Sequence, residues 1–168
     1  MRDDDHLLGG VRRGEASVLC LESLGGSPDV LRMYLAHEYT HWARRQLVAT
    51  VIFESCVGER LVTEGIAENY SREVVPGRPV AQYCIVDEDT ARWVEDSEAT
   101  LDALVRDGLM STDLMDALFY MYARTAYPPR CGYVYGYLLV RRYLEGHDLT
   151  VRDVLGIRWQ DMLFDRWQ

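Results

Sequence analysis

Apolar positions along this chain recur mostly at helical spacing, with one short β-type run ahead of the helices. Ala16 to Leu21 (ASVLCL) is apolar, carries β-branched content, and is followed by the turn Gly25-Gly26-Ser27-Pro28, so it reads as a buried strand. A helix then begins. Ser27 suits the cap, Pro28 the first turn and Asp29 the positive end of the helix dipole. Val30, Leu31, Tyr34, Leu35, Ala36 and Trp42 give this helix an apolar side, which runs to about Val48 or Phe53. Glu59 to about Val74 reads as a second helix, with Val62, Ile66, Tyr70 and Val74 every four residues along one face. Beyond Pro76-Gly77-Arg78-Pro79, the stretch Val80 to Val86 reads as a short strand or an extended loop. Further helices are predicted over Thr90–Arg106, stopped by Gly108, over Thr112–Arg124, broken by Tyr127-Pro128-Pro129, and over Gly132–Glu145, closed by Gly146. Thr150, with Asp153 near the capping-box position, opens a short helix, and a last amphipathic piece ends at Trp167. A lone strand cannot satisfy its own backbone groups, so Ala16–Leu21 needs the lead-in, Val80–Val86 or a partner chain beside it. The expected fold class is α+β and mostly helical, with a small N-terminal β element, in one domain over residues 1–168 without internal repeats.

The first helix carries the chemistry. His37 and His41 are four residues apart. On a helix that is one turn plus about 40°, with a rise of about 6 Å, so both imidazoles face one side and can grip a single ion. Imidazole nitrogen suits zinc at about 2 Å. Glu38, beside the first histidine, can reach a water on the metal without ligating it, which is the mechanical content of H-E-x-x-H. Val30, Leu31, Tyr34 and Leu35 share the helix side of His37, Glu38 and His41, so these polar groups are expected to face the core or a cleft. Inward-facing polar groups need partners, and a metal supplies one. Glu64 follows His41 after 22 intervening residues and lies on the second helix in Thr63-Glu64-Gly65-Ile66-Ala67-Glu68. Glu64 is the expected third ligand. Glu68, one turn later on the same side, is the expected acceptor for a histidine N–H. Gly65 would let another helix approach closely. The competing reading of Glu64 and Glu68 is a pair of solvated glutamates on a surface helix.

Composition narrows the partners. Hydrophobic residues make up 48% and charged residues 27%, which is ordinary for a folded soluble chain. The net charge of −9 disfavours nucleic acid, since an acidic surface repels phosphate backbones. No apolar run approaches the roughly 20 residues of a membrane-spanning helix, and the acidic start Met1-Arg2-Asp3-Asp4-Asp5 has no secretory-signal core after it; a cytoplasmic location is expected. Cys20, Cys56, Cys84 and Cys131 form no C-x-x-C pair and are expected to be reduced and mostly buried.

Three blocks carry a resemblance: Ala36-His37-Glu38-Tyr39-Thr40-His41, Glu64-Gly65-Ile66-Ala67-Glu68, and Pro129-Arg130-Cys131-Gly132-Tyr133-Val134-Tyr135-Gly136-Tyr137. The first two resemble the gluzincins, zinc peptidases in which a glutamate on a later helix completes the ligand set. All three resemble the predicted Zn-dependent protease family DUF2268 more closely. Thr40 departs from the bulkier polar residue expected before the second histidine, and the region ahead of the first helix is short. The resemblance implies a zincin-like fold and hydrolysis of a peptide or protein substrate. Zn2+ would be held by His37, His41 and Glu64, with Glu38 as general base and acid. A second oxyanion donor is usual in such sites. Tyr133, Tyr137 and Arg130 are candidates, and Tyr133 is the choice because it opens a helix beside a proline turn; core packing is the alternative for each tyrosine. Two other readings stay open: an inactive zincin-fold binding or regulatory module, and a structural zinc site in a helical interaction domain.

Overall fold

The computed structural model describes residues 10–13, 16–19, 27–48, 56–120 and 126–166. Chain order is β1 (Gly10–Arg13), β2 (Ala16–Leu19), α1 (Pro28–Leu47), α2 (Val57–Val74), α3 (Val80–Cys84), α4 (Glu88–Asp96), α5 (Glu98–Gly108), α6 (Thr112–Phe119), α7 (Cys131–His147), α8 (Val151–Val154) and α9 (Trp159–Arg166). Cys20, Leu21, Phe53, Arg124 and Trp167, which the sequence reading invokes, lie outside the described residues.

The α+β expectation is corrected: the packed body is all-helical. Every buried core residue described comes from α1–α9 or their connections. The β structure among the described residues is a short antiparallel hairpin, Gly10↔Leu19 through Arg13↔Ala16, whose two strands pair with each other. Val80–Val86 adds no strand to it. Pro79 stands at the N-cap of a helical turn there, and Ile85 closes that turn in the left-handed region at φ 53°. A short apolar run after a proline is ambiguous between strand and buried helix, and here tertiary packing selects the helix.

α2 is the central element. All side chains from Val57 to Asn69 are buried, charged ones included. The sequence reading gave this helix a single apolar stripe; the structure surrounds it. α7 approaches so closely that a Cβ on Gly65 would stand 2.2 Å from the Gly136 carbonyl oxygen, and one on Gly136 would stand 2.5 Å from the Leu61 oxygen. The expected role of Gly65 is thus realised, with Gly136 as its counterpart. Asn69 Nδ2 locks the same seam by donating to Gly65 O at 2.8 Å and Tyr137 O at 3.0 Å. α1 packs on another side of α2, where the Ser71 hydroxyl donates to Met33 O at 2.9 Å.

The expected helix over Thr90–Arg106 is divided at Ser97, whose N–H donates to Trp93 O and Val94 O, into α4 and α5. Asp87 caps α4 by accepting from the Thr90 N–H at 2.6 Å. The Thr150–Asp153 capping box is present on α8. Cys56, Cys84 and Cys131 are buried free thiols. No described helix is long and apolar enough to cross a membrane.

Candidate metal centre

The buried line along α1 runs through Met33, Ala36, Thr40 and Arg44, with His37 and His41 beside it. The inward side is therefore narrower than the sequence reading placed it. Leu35 is 49% and Trp42 46% exposed, because the α1–α2 seam takes small and polar residues where bulky ones would hold the helices apart. Thr40, the unexpected residue before His41, fits that seam: it is buried, and its hydroxyl donates back to Ala36 O at 2.8 Å.

His37 Nε2, His41 Nε2 and Glu64 Oε2 form a small triangle. Its sides are 3.0 Å between the imidazoles, 3.4 Å from His37 to Glu64 and 3.5 Å from His41 to Glu64. A tetrahedral zinc ion about 2.0–2.1 Å from each ligand spaces its ligands roughly 3.3 Å apart, so the triangle has the size of one face of such a site. Glu64 Oε2 is buried and has no hydrogen-bond partner, which leaves it an acceptor facing two nitrogens at 3.4 and 3.5 Å. Two neutral imidazoles and a carboxylate suit a borderline cation, so the residues present fit zinc.

Glu68 stands on the far side of His37, with Oε1 3.4 Å from Nδ1 and its side chain almost fully buried. That places a carboxylate where a metal-ligating histidine commonly sends its second N–H. The electrostatics of the cluster follow from burial opposed by pairing. Burial pushes His37 down, but Glu68 and Glu64 overcome it and hold the imidazole well above its ordinary value. Burial pushes Glu64 up, but His41 and His37 hold it well below the usual carboxylate range. Glu68 is raised, because burial outweighs its pairing with His37.

Glu38 is half-buried on α1 next to His37 and is tied by no hydrogen bond or ion pair to a described residue. Tyr133 lies in the first turn of α7 and is 9% exposed. It joins the cluster indirectly: Arg60 Nη2 donates to its hydroxyl at 3.2 Å and stands 3.6 Å from Glu64 Oε1. Burial, with Glu64 adding to it, pushes the phenol up to about 12, so Tyr133 is a neutral proton donor at ordinary pH. Arg130 covers the Tyr133 ring face at 4.2 Å from the centroid, in a left-handed backbone conformation with φ 61°. Tyr137 instead stacks on Tyr83 at 6.2 Å. Cys131 is buried and its thiol is pushed up to about 12 by burial, which keeps it protonated and unreactive.

Sequence reasoning missed Arg44 and Arg60. Arg44 continues the inward line one turn past His41, and Arg60 lies one turn before Glu64; carrying each helical period one step further finds both. The general reading that an inward arginine belongs on the surface hid them.

Fold and site together define a helical protein with two histidines and a glutamate converging from an H-E-x-x-H helix and its central neighbour. The chain belongs to DUF2268, a family described as predicted Zn-dependent proteases, whose model matches residues 7–163. No curated protein and no solved structure matches it.

Proposed function

We propose that the chain is a zinc-dependent peptidase of the gluzincin type, with His37, His41 and Glu64 as metal ligands. The observation that carries this reading is the triangle of Nε2, Nε2 and Oε2 atoms with sides of 3.0, 3.4 and 3.5 Å. Membership of a family described as predicted Zn-dependent proteases supports it. Bound there, zinc supplies Lewis-acid polarisation of a carbonyl and makes water acidic near neutral pH.

The chain's own residues do the rest. Glu38 takes the proton from the attacking water and delivers it to the leaving amine. No described residue ties the carboxylate, which leaves it available for both transfers. Glu68, 3.4 Å from His37 Nδ1, would take that ring's N–H once Nε2 is on the metal, which would fix the tautomer and keep Nε2 turned toward the ligand triangle. Tyr133 donates a hydrogen bond to the oxyanion that develops on the peptide carbonyl and keeps its proton. The substrate is a peptide or protein; nothing in the proposal requires nucleic acid or membrane.

The test is Glu38→Gln beside the wild type, with metal content and peptide hydrolysis measured on both. The expected result is one zinc per chain in each protein and a loss of about 10²–10⁴ in kcat in the variant, the range of general acid–base catalysis. Equal hydrolysis by both proteins, or none by the zinc-loaded wild type over a broad peptide library, would sink the peptidase reading.

A further inference from the structure

We infer that Arg60 is a positioning residue of the metal centre, which holds Glu64 to one-oxygen ligation and sets the direction of the Tyr133 hydroxyl. The inference rests on the zinc reading above and goes beyond its ligand set. Arg60 lies one helical turn before Glu64 on α2, is 8% exposed, and touches both residues with one nitrogen: Nη2 is 3.2 Å from the Tyr133 oxygen and 3.6 Å from Glu64 Oε1. The rings of Phe119 and Tyr120 flank the guanidinium at 5.0 and 5.5 Å. A planar cation held against aromatic faces has little freedom to turn.

Two consequences follow from this placement. The first concerns Glu64. Its oxygens face different partners, Oε1 toward Arg60 and Oε2 toward both histidines. A cation on Oε1 opposes rotation of the carboxylate into a two-oxygen grip. That grip would add a protein bond and fill the position that a catalytic site keeps open. The second concerns Tyr133. A guanidinium has only donors, so the tyrosine oxygen is the acceptor in this contact and its single proton is left for another group. Arg60 thereby makes Tyr133 a donor by geometry. Lysine is a poor substitute, since an ammonium on a flexible stem lacks the planar group that the Phe119 and Tyr120 rings hold in place.

The experiment is cobalt substitution of the wild type, Arg60→Met and Arg60→Lys, with folding followed by far-ultraviolet circular dichroism and the centre by its visible spectrum. We expect intense four-coordinate cobalt bands in the wild type. Arg60→Met should still bind one cobalt per chain but show the weaker bands of a five-coordinate ion, with kcat about 10–100-fold lower and KM little changed. Arg60→Lys should restore the spectrum only in part. A structural role alone would lower the melting temperature and leave the bands of the folded fraction unmoved. Folded, loaded variants with wild-type bands and wild-type kcat overturn the inference and leave the zinc reading standing. A wild type that takes up neither cobalt nor zinc removes both. Should neither variant fold, the infrared difference between loaded and metal-free wild type, with labelled glutamate carboxylates, decides. Wide splitting of the carboxylate stretches is expected for one-oxygen ligation, and narrow, two-oxygen splitting overturns the inference.

Discussion

Two polar clusters bridge the same pair of helices, one turn apart, and they are built to opposite standards. At the C-terminal end of α1, Arg44 is completely buried and every part of its guanidinium is used. Nε donates to Thr63 Oγ1 at 3.2 Å, Nη1 to Leu155 O and Ile157 O at 3.0 and 2.8 Å, and Nη2 to Glu59 Oε1 at 3.2 Å. Thr63 in turn donates to Glu59 at 2.8 Å. One turn back, the His37–His41–Glu64–Glu68 cluster is almost as buried, yet its contacts to carboxylate are 3.4–3.5 Å and it leaves Glu64 Oε2 and Glu68 Oε1 without hydrogen bonds. Buried polar groups are costly unless satisfied. The closed cluster is a clamp that fixes α1 against α2 and the segment after α8. The open one lies one turn away on the same two helices, and its Glu64 Oε2 and Glu68 Oε1 are free of hydrogen bonds.

Breaking the closed cluster should produce the largest effect. Arg44→Met leaves the Glu59 carboxylate buried without its cation, and the Leu155 and Ile157 carbonyls lose their donor. Removing one partner of a buried pair costs about 3–5 kcal/mol, and chemical denaturation of the metal-free proteins should read a loss of that size. A loss under about 1 kcal/mol would place Arg44 among exposed pairs and undo the contrast. Breaking the open cluster should do something different. Zinc at 100 times its dissociation constant stabilises a folded chain by about 2.7 kcal/mol. Calorimetry with and without zinc should find this increment in the wild type and lose it in Glu64→Gln. An increment that survives in Glu64→Gln would place the ion elsewhere.

The seam behind both clusters offers a smaller effect. In Gly65→Ala the new methyl meets the Gly136 carbonyl, a backbone atom that cannot rotate away. α7 must shift, at about 1–3 kcal/mol of stability, and it carries Tyr133 with it. Thermal melting together with kcat checks this. Unchanged melting and turnover would mean that the two helices do not meet as closely as described.

How much of this was legible in the residues divides along the same line. Spacing alone put His37 beside His41 and Glu64 beside Glu68, because helical geometry is local and each pair sits one turn apart; the H-E-x-x-H motif and the family resemblance joined the two pairs. The closeness at Gly65 could be anticipated, since a glycine beside a functional residue in a helix costs stability without some return in packing. The closed cluster was not legible. Its acceptors at Leu155 and Ile157 are more than 100 residues from Arg44, and no local periodicity joins them. The centrality of α2 was hidden for a related reason: charged residues in a helix suit a solvated face, whereas Glu59, Arg60, Glu64 and Glu68 are all buried, with partners on α1 and α7. The division at Ser97 and the helical turn at Val80–Cys84 are likewise set by packing, since their residues suit more than one local state. The α+β expectation failed there, because a single apolar run was asked to supply a sheet.

pH should separate the clusters most finely. Arg44, though lowered by burial, belongs to a residue type that stays charged in proteins, so its clamp does not vary through the physiological range. His37 titrates. Its folded value is raised by Glu68 and Glu64 against burial, so in the metal-free chain the protonated ring stabilises the fold. That contribution is fully present below the ordinary imidazole value of about 6.5 and is lost as pH rises through the raised one. Glu64 works in the other direction: its folded value is depressed, so its contribution is present above the ordinary carboxylate value and is lost only as pH falls through the lower one. Between these limits Glu64 remains an anion and His37 exchanges a proton for a metal. Zinc affinity should therefore fall about tenfold, or about 1.4 kcal/mol, for each pH unit below the raised His37 value, and level off above it. Competition with a chromophoric chelator from pH 5 to 9 measures this. A flat affinity over that range would mean that no buried imidazole gives up a proton to the ion, and that His37 is not among its ligands.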